Sequence, residues 1–72
     1  MSMKELPNEI KHLNRTCDAL AQACYEIAQT NDWVAHAALV TLEGMLDDLA
    51  GRVEELRAIR TAMESLAEER NG

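Results

Sequence analysis

Phenylalanine is absent from this chain, tryptophan and tyrosine occur once each, and proline once among 72 residues. With aromatics at 3%, a core built on large rings is excluded. Three glycines and a single proline leave few helix breakers. Cys17 and Cys24 are the only cysteines, seven positions apart. On one helix they stack about 10 Å apart, whereas disulfide-bonded Cα atoms lie within about 7 Å. They therefore read as small buried hydrophobes of a reducing compartment. No apolar run reaches the roughly 20 residues of a membrane span, and the first residues carry no apolar leader segment. A cytoplasmic protein is the expectation.

Positive charge is also short. Seven Lys and Arg stand against thirteen Asp and Glu, for a net charge of −6. That balance opposes sequence-independent nucleic-acid binding, which rests on neutralising phosphates. The shortage of length matters most. A compact monomer of this size buries only about 60% of the surface its unfolded chain exposes. Apolar burial and chain-ordering entropy then nearly cancel. Small domains resolve this with disulfides, a metal or a partner subunit, and the first is already excluded.

What the chain does contain is helix-forming Ala, Leu and Glu in a strict order. Met3, Leu6, Ile10, Leu13, Cys17, Leu20, Cys24 and Ile27 follow one another at spacings of 3, 4, 3, 4, 3, 4 and 3. This is the period-3.5 seam of a coiled coil. The second half repeats it at Ala35, Leu39, Leu42, Leu46, Leu49, Val53 and Leu56. Thr30-Asn31-Asp32 separates the two stripes with poor helix formers and good caps, and Asp32 or Asn31 is placed to cap the second helix. So short a connection joins antiparallel neighbours. Facing residues must then sum to a constant. Ile27 with Ala35, Leu20 with Leu42, Leu13 with Leu49 and Leu6 with Leu56 all sum to 62. Cys24 with Leu39, Cys17 with Leu46 and Ile10 with Val53 sum to 63.

The expected fold is thus all-α: one antiparallel helical hairpin spanning residues 1–72, with helix 1 about 6–29, a turn at 30–32 and a longer helix 2 about 33–69. Pro7 is harmless only in a first turn, which starts helix 1 near Glu5 or Leu6. Ser2-Met3-Lys4-Glu5 has capping-box form, but a helix capped there would hold Pro7 too deep. Gly44 and Gly51 inside helix 2 mark either a bend or a close approach of another helix. Beyond the heptads there is no internal duplication.

Two apolar features exceed what a lone hairpin buries. The pattern continues beyond helix 1 at Ile59, Met63 and Leu66, and the stretch from Trp33 to Leu42 is apolar nearly all round. Ala21, Tyr25 and Ala28, with Val34, Ala38, Thr41 and Met45, make up a further apolar set. A homodimer, closed as a four-helix bundle, is the simplest cover. Tyr25, Trp33, Val34, Val40, Met45, Ile59, Met63 and Leu66 are accordingly the candidate partner contacts, Trp and Tyr being enriched at interface hot spots.

Catalysis has no foothold. Two helices leave no evident concavity for a nucleophile, base or metal. His12 and His36 sit on different helices, opposite positions near 50 and 26, and neither has His or Cys at i+3 or i+4 for a metal clamp. No cofactor, metal or catalytic residue is expected. Glu43 with Asp47, and the pairs Asp47-Asp48, Glu54-Glu55 and Glu68-Glu69, read as a solvated face that keeps the protein soluble. Asp48 to Arg52 and Arg60 to Glu64 are i,i+4 pairs worth about 0.2–0.5 kcal/mol each. Lys4, Lys11, Arg15, Arg52, Arg57 and Arg60 lie toward the open end of the hairpin, and Arg70 ends helix 2. Rop-type plasmid copy-control dimers bind RNA through such residues and share the length and hairpin plan. Here the arginines are interleaved with carboxylates, which makes RNA the weaker partner. Met1, Met3, Met45 and Met63 serve as adaptable contacts or gap-fillers.

The segment Leu13-Asn14-Arg15-Thr16-Cys17-Asp18-Ala19-Leu20-Ala21-Gln22-Ala23-Cys24, followed by Leu42-Glu43-Gly44-Met45-Leu46-Asp47-Asp48-Leu49, resembles small helical-hairpin proteins of proteobacteria and their phages. Among these, the phage anti-quorum-sensing antiactivators are similar in size and architecture. The resemblance covers most of the chain and rests on Leu/Ala periodicity. It implies a protein that binds and silences a LuxR-type transcription regulator, and it transfers no residue role. Helical-hairpin co-chaperones of type III secretion match the architecture equally well. The functional expectation is a non-enzymatic regulator that sequesters or inhibits another protein. A secretion or assembly co-chaperone and an RNA-binding dimer are the alternatives.

Overall fold

A computed structural model describes residues 4–71. Met1, Ser2 and Met3, including the first position of the stripe and the start of the capping-box match, lie outside the described residues. Two helices account for the fold: α1, Leu6–Ala28, and α2, Trp33–Asn71. They pack against each other as an antiparallel hairpin 59 Å long and 17 by 15 Å across. At about 1.5 Å per residue, the 39 residues of α2 account for that long axis by themselves.

Pro7 falls in the first turn of α1, where its missing N–H leaves no helical bond unmade. The Glu5 carbonyl accepts the Glu9 N–H at 3.0 Å and opens the ladder. At the other end the chain stops by hydrogen bonding, without any left-handed residue. Gln29 N–H donates to the Glu26 carbonyl (3.1 Å), and Thr30 donates to the Ile27 carbonyl twice, from N–H at 3.0 Å and from its hydroxyl at 2.8 Å. Asp32 then caps α2. Its Oδ1 accepts the Val34 and Ala35 N–H groups at 2.9 and 3.1 Å, and its carbonyl accepts the His36 N–H at 3.0 Å. Carboxylates at this position satisfy two orphan donors and complement the positive end of the helix dipole. His36 reaches back to complete the turn: its Nε2 lies 2.6 Å from the Thr30 carbonyl and must carry the proton, since a carbonyl only accepts.

Every expected seam residue from Leu6 to Leu56 is at least partly buried, and among the described residues only Asn14 and Met63 join them. The seam is nevertheless uneven. Leu6, Ile10, Val53 and Leu56 form the closed core, at the open end of the hairpin, with Leu13, Cys17 and Met63 packed against it. Toward the turn, Leu20, Cys24, Ile27, Ala35, Leu39, Leu42 and Leu46 are only half-buried. The layers nearest the turn use Cys24 and Ala35, which are too small to close over the gap between two helices. Cys17 and Cys24, expected to be buried, are half-buried free thiols.

Met63 corrects the reading of the helix extension. It does not stand beyond the reach of α1 but folds back onto the Leu6/Ile10/Val53/Leu56 cluster. A long unbranched side chain on a helix tends to lie over the turn before its own Cα, which gives methionine the reach for such a contact. Gly44 and Gly51 lie inside an unbroken α2, and a Cβ at either position would meet nothing within 4 Å. Within the chain, neither glycine serves a close approach.

Two changes test these contributions. Leu56→Ala should cost about 2–5 kcal/mol. In so marginal a chain that abolishes most of the helical circular dichroism at 25 °C. Asp32→Ala should cost about 1 kcal/mol and raise amide exchange first at Val34 and Ala35.

Candidate protein-binding surfaces

Among the described residues, no group of three His, Cys, Asp or Glu converges to hold a metal ion. No described helix is long and apolar enough to cross a membrane. The notable groups are apolar and face solvent.

Seven of the eight candidate contacts are exposed. Trp33 is 80% accessible, Val40 75%, Leu66 61%, Tyr25 and Val34 60%, Met45 49% and Ile59 44%. The eighth, Met63, belongs to the core margin described above. Isolated exposed apolar residues are ordinary, whereas contiguous ones mark contact surfaces. The helix period decides which are contiguous. On α2, Trp33, Ala37, Val40 and Gly44 recur at spacings of 4, 3 and 4, and Val34 and Thr41 flank them at a spacing of seven. All six are exposed, and they occupy the back of α2, facing away from α1. The Asp32 cap fixes where this face begins. Tyr25 is on the other helix, beside the seam residue Cys24. Ile59 and Leu66 belong to the distal half of α2, so the structure divides the candidates into a turn-proximal and a distal group.

Three Arg–Glu pairs lie in the distal half of α2. Arg52 binds Glu55 at 2.8 Å, Arg57 binds Glu54 at 3.2 Å and Arg60 binds Glu64 at 3.1 Å. The expected Arg60–Glu64 pair is present. Arg52, however, takes Glu55 at i+3 in place of Asp48 at i−4. A Glu side chain is one methylene longer than Asp, and the opposite order, acid before base, would have favoured Asp48. In this conformation reach outweighs order. All three pairs are about half exposed or more, so each contributes little.

Two features escaped sequence reasoning. The His36–Thr30 bond carries no heptad signal, because it crosses a turn whose path depends on the cap. Asn14 is half-buried beside Leu13, a flank position whose burial depends on side-chain rotamers. Comparison of the chain with protein-family models, curated proteins and solved structures finds no match.

Exposure without internal contact makes a sharp forecast for stability. Trp33→Ala and Arg57→Ala should each shift the urea unfolding free energy by no more than about 0.5 kcal/mol. A larger loss would mean that these side chains are packed.

Proposed function

We propose that this chain is a non-enzymatic, homodimeric helical-bundle protein that binds another protein and sequesters or inhibits it, a transcription regulator being the kind of target the family resemblance implies. The observation that carries the reading is the row of exposed large apolar side chains on a hairpin whose own seam is only half closed. Two unburied surfaces call for two kinds of cover. A second copy laid along the open side of the seam covers Leu20, Cys24, Ile27, Leu39, Leu42 and Leu46. The back of α2 around Trp33, Val34 and Val40 then stays free for the partner. The turn half of the chain carries no Lys or Arg, which favours an antiparallel dimer with each acidic half beside the mixed-charge half of its mate.

Light scattering should give twice the 8.0 kDa chain mass. Affinity capture from the native host should recover a protein partner that Trp33→Ala with Val34→Glu loses while the dimer mass is kept. A folded monomer that captures nothing overturns the proposal.

A second reading, a secretion or assembly co-chaperone, draws on Ile59 and Leu66, which are exposed on the distal half of α2. It requires that Ile59→Glu with Leu66→Glu, and not changes near Trp33, abolish capture.

A further inference from the structure

The exposed apolar back of α2 and the distribution of charge around it together select one class of occupant. From Thr16 to Gly51 the chain holds Asp18, Glu26, Asp32, Glu43, Asp47 and Asp48 and neither Lys nor Arg. The remaining acidic residues equal the seven Lys and Arg in number, so the whole net charge of −6 resides in the turn half. Five of the seven exposed large hydrophobics, Tyr25, Trp33, Val34, Val40 and Met45, lie in that same half. Asp32 is engaged in capping, but Glu43, Asp47 and Asp48 are exposed along and just beyond the apolar face. Among the described residues, the salt bridges formed within α2 lie between residues 52 and 64 and leave these three carboxylates out.

An apolar strip bordered by unneutralised carboxylates is a poor surface for self-association. Two copies meeting back to back through this face would set one acidic half on another. Helix axes in contact are about 8–10 Å apart, comparable to the Debye length of about 8 Å at physiological salt. The like charges would therefore not be fully screened. A helix with an apolar stripe flanked by Lys and Arg meets both demands at once, covering Trp33, Val34 and Val40 while its cations reach Glu43, Asp47 and Asp48. The narrow centre of the face, Ala37 and Gly44, offers that helix room, for nothing stands within 4 Å of a Cβ placed at Gly44.

We propose that the back of α2 from Trp33 to Asp48 docks a cationic amphipathic helix of a partner protein. This deepens the protein-binding reading above and rests on it.

Trp33, the sole tryptophan, reports docking directly through its fluorescence. The protein is titrated with three synthetic peptides of about 18 residues, long enough to span the roughly four and a half turns involved: an amphipathic Leu/Lys helix, its Leu/Glu counterpart, and a scrambled Leu/Lys sequence of equal composition. Only the amphipathic Leu/Lys peptide should bind, with a blue shift of Trp33 emission. Its affinity should fall at least about tenfold when salt rises from low to high ionic strength. Val40→Ser should weaken binding by about tenfold, and Glu43→Gln with Asp47→Asn and Asp48→Asn should weaken it and flatten the salt dependence. Circular dichroism and scattering mass confirm that each variant keeps the parent fold and assembly.

Binding of the scrambled or Leu/Glu peptide with equal affinity overturns the proposal, as does indifference to Val40→Ser or to the carboxylate changes. No binding at all overturns it too. The docking mode and the protein-binding reading fail by different results. A captured native partner that neither competes with the Leu/Lys peptide nor responds to Val40→Ser refutes this docking mode and leaves the protein-binding reading standing. Absence of both peptide binding and native capture refutes the two together.

Discussion

A pair of helices can bury one stripe each and no more. That constraint governs this molecule. The 3.5-residue period joins α1 to α2 along a single line, and with only two helices the line has two open flanks. Leu6, Ile10, Val53 and Leu56 close it at one end because four branched aliphatic side chains meet there and Met63 lies over them. Where Cys24 and Ala35 stand in the seam, the same two helices do not close it. A chain this short has little free energy to spare for such exposure. Its half-covered layers are therefore the physical ground for expecting a second copy.

The two ends of the hairpin are held by different forces. At the open end packing dominates, and loss of a single leucine removes much of the core. At the turn, short-range hydrogen bonds take over: the Asp32 cap, the doubled Thr30 contact with Ile27, and the bond from His36 to Thr30. These set the helix start at Trp33 and thereby decide which residues share the back of α2. The apolar face is placed by polar groups, which need no burial to hold their geometry. Local stability should follow the same division, with the core end opening last.

The heptad stripes and their constant sums made the hairpin, its register and its turn legible from the residues alone. Each seam position is set by backbone periodicity, which a sequence displays directly. Asp32 and Pro7 marked the helix boundaries because capping and the missing proline N–H act within one turn. The features that were not legible depend on side-chain reach. Met63 folds back onto the core, Arg52 chooses Glu55 over Asp48, and Asn14 gains shelter beside Leu13. The exposed set around Trp33 was visible as apolar residues off the seam. Its division from Ile59 and Leu66 required the helices to be placed. A resemblance carried by Leu/Ala periodicity alone cannot name a partner, since any hairpin of this design shares it.

Charge separates the molecule a second time, along its length, into an acidic turn half and a balanced open half that contains the three Arg–Glu pairs. The proposed self-association along the seam and the proposed partner capture on the back of α2 thus draw on different surfaces and different forces. The central claim is that the turn half of the seam is incompletely covered by its own chain and is closed by a second copy. Amide hydrogen exchange followed over a wide range of protein concentration tests this most directly. Protection from Cys17 to Ile27 and from Leu39 to Leu49 should rise with concentration as the dimer fills. Protection in those segments that is high and independent of concentration, in a particle of single-chain mass, would contradict it.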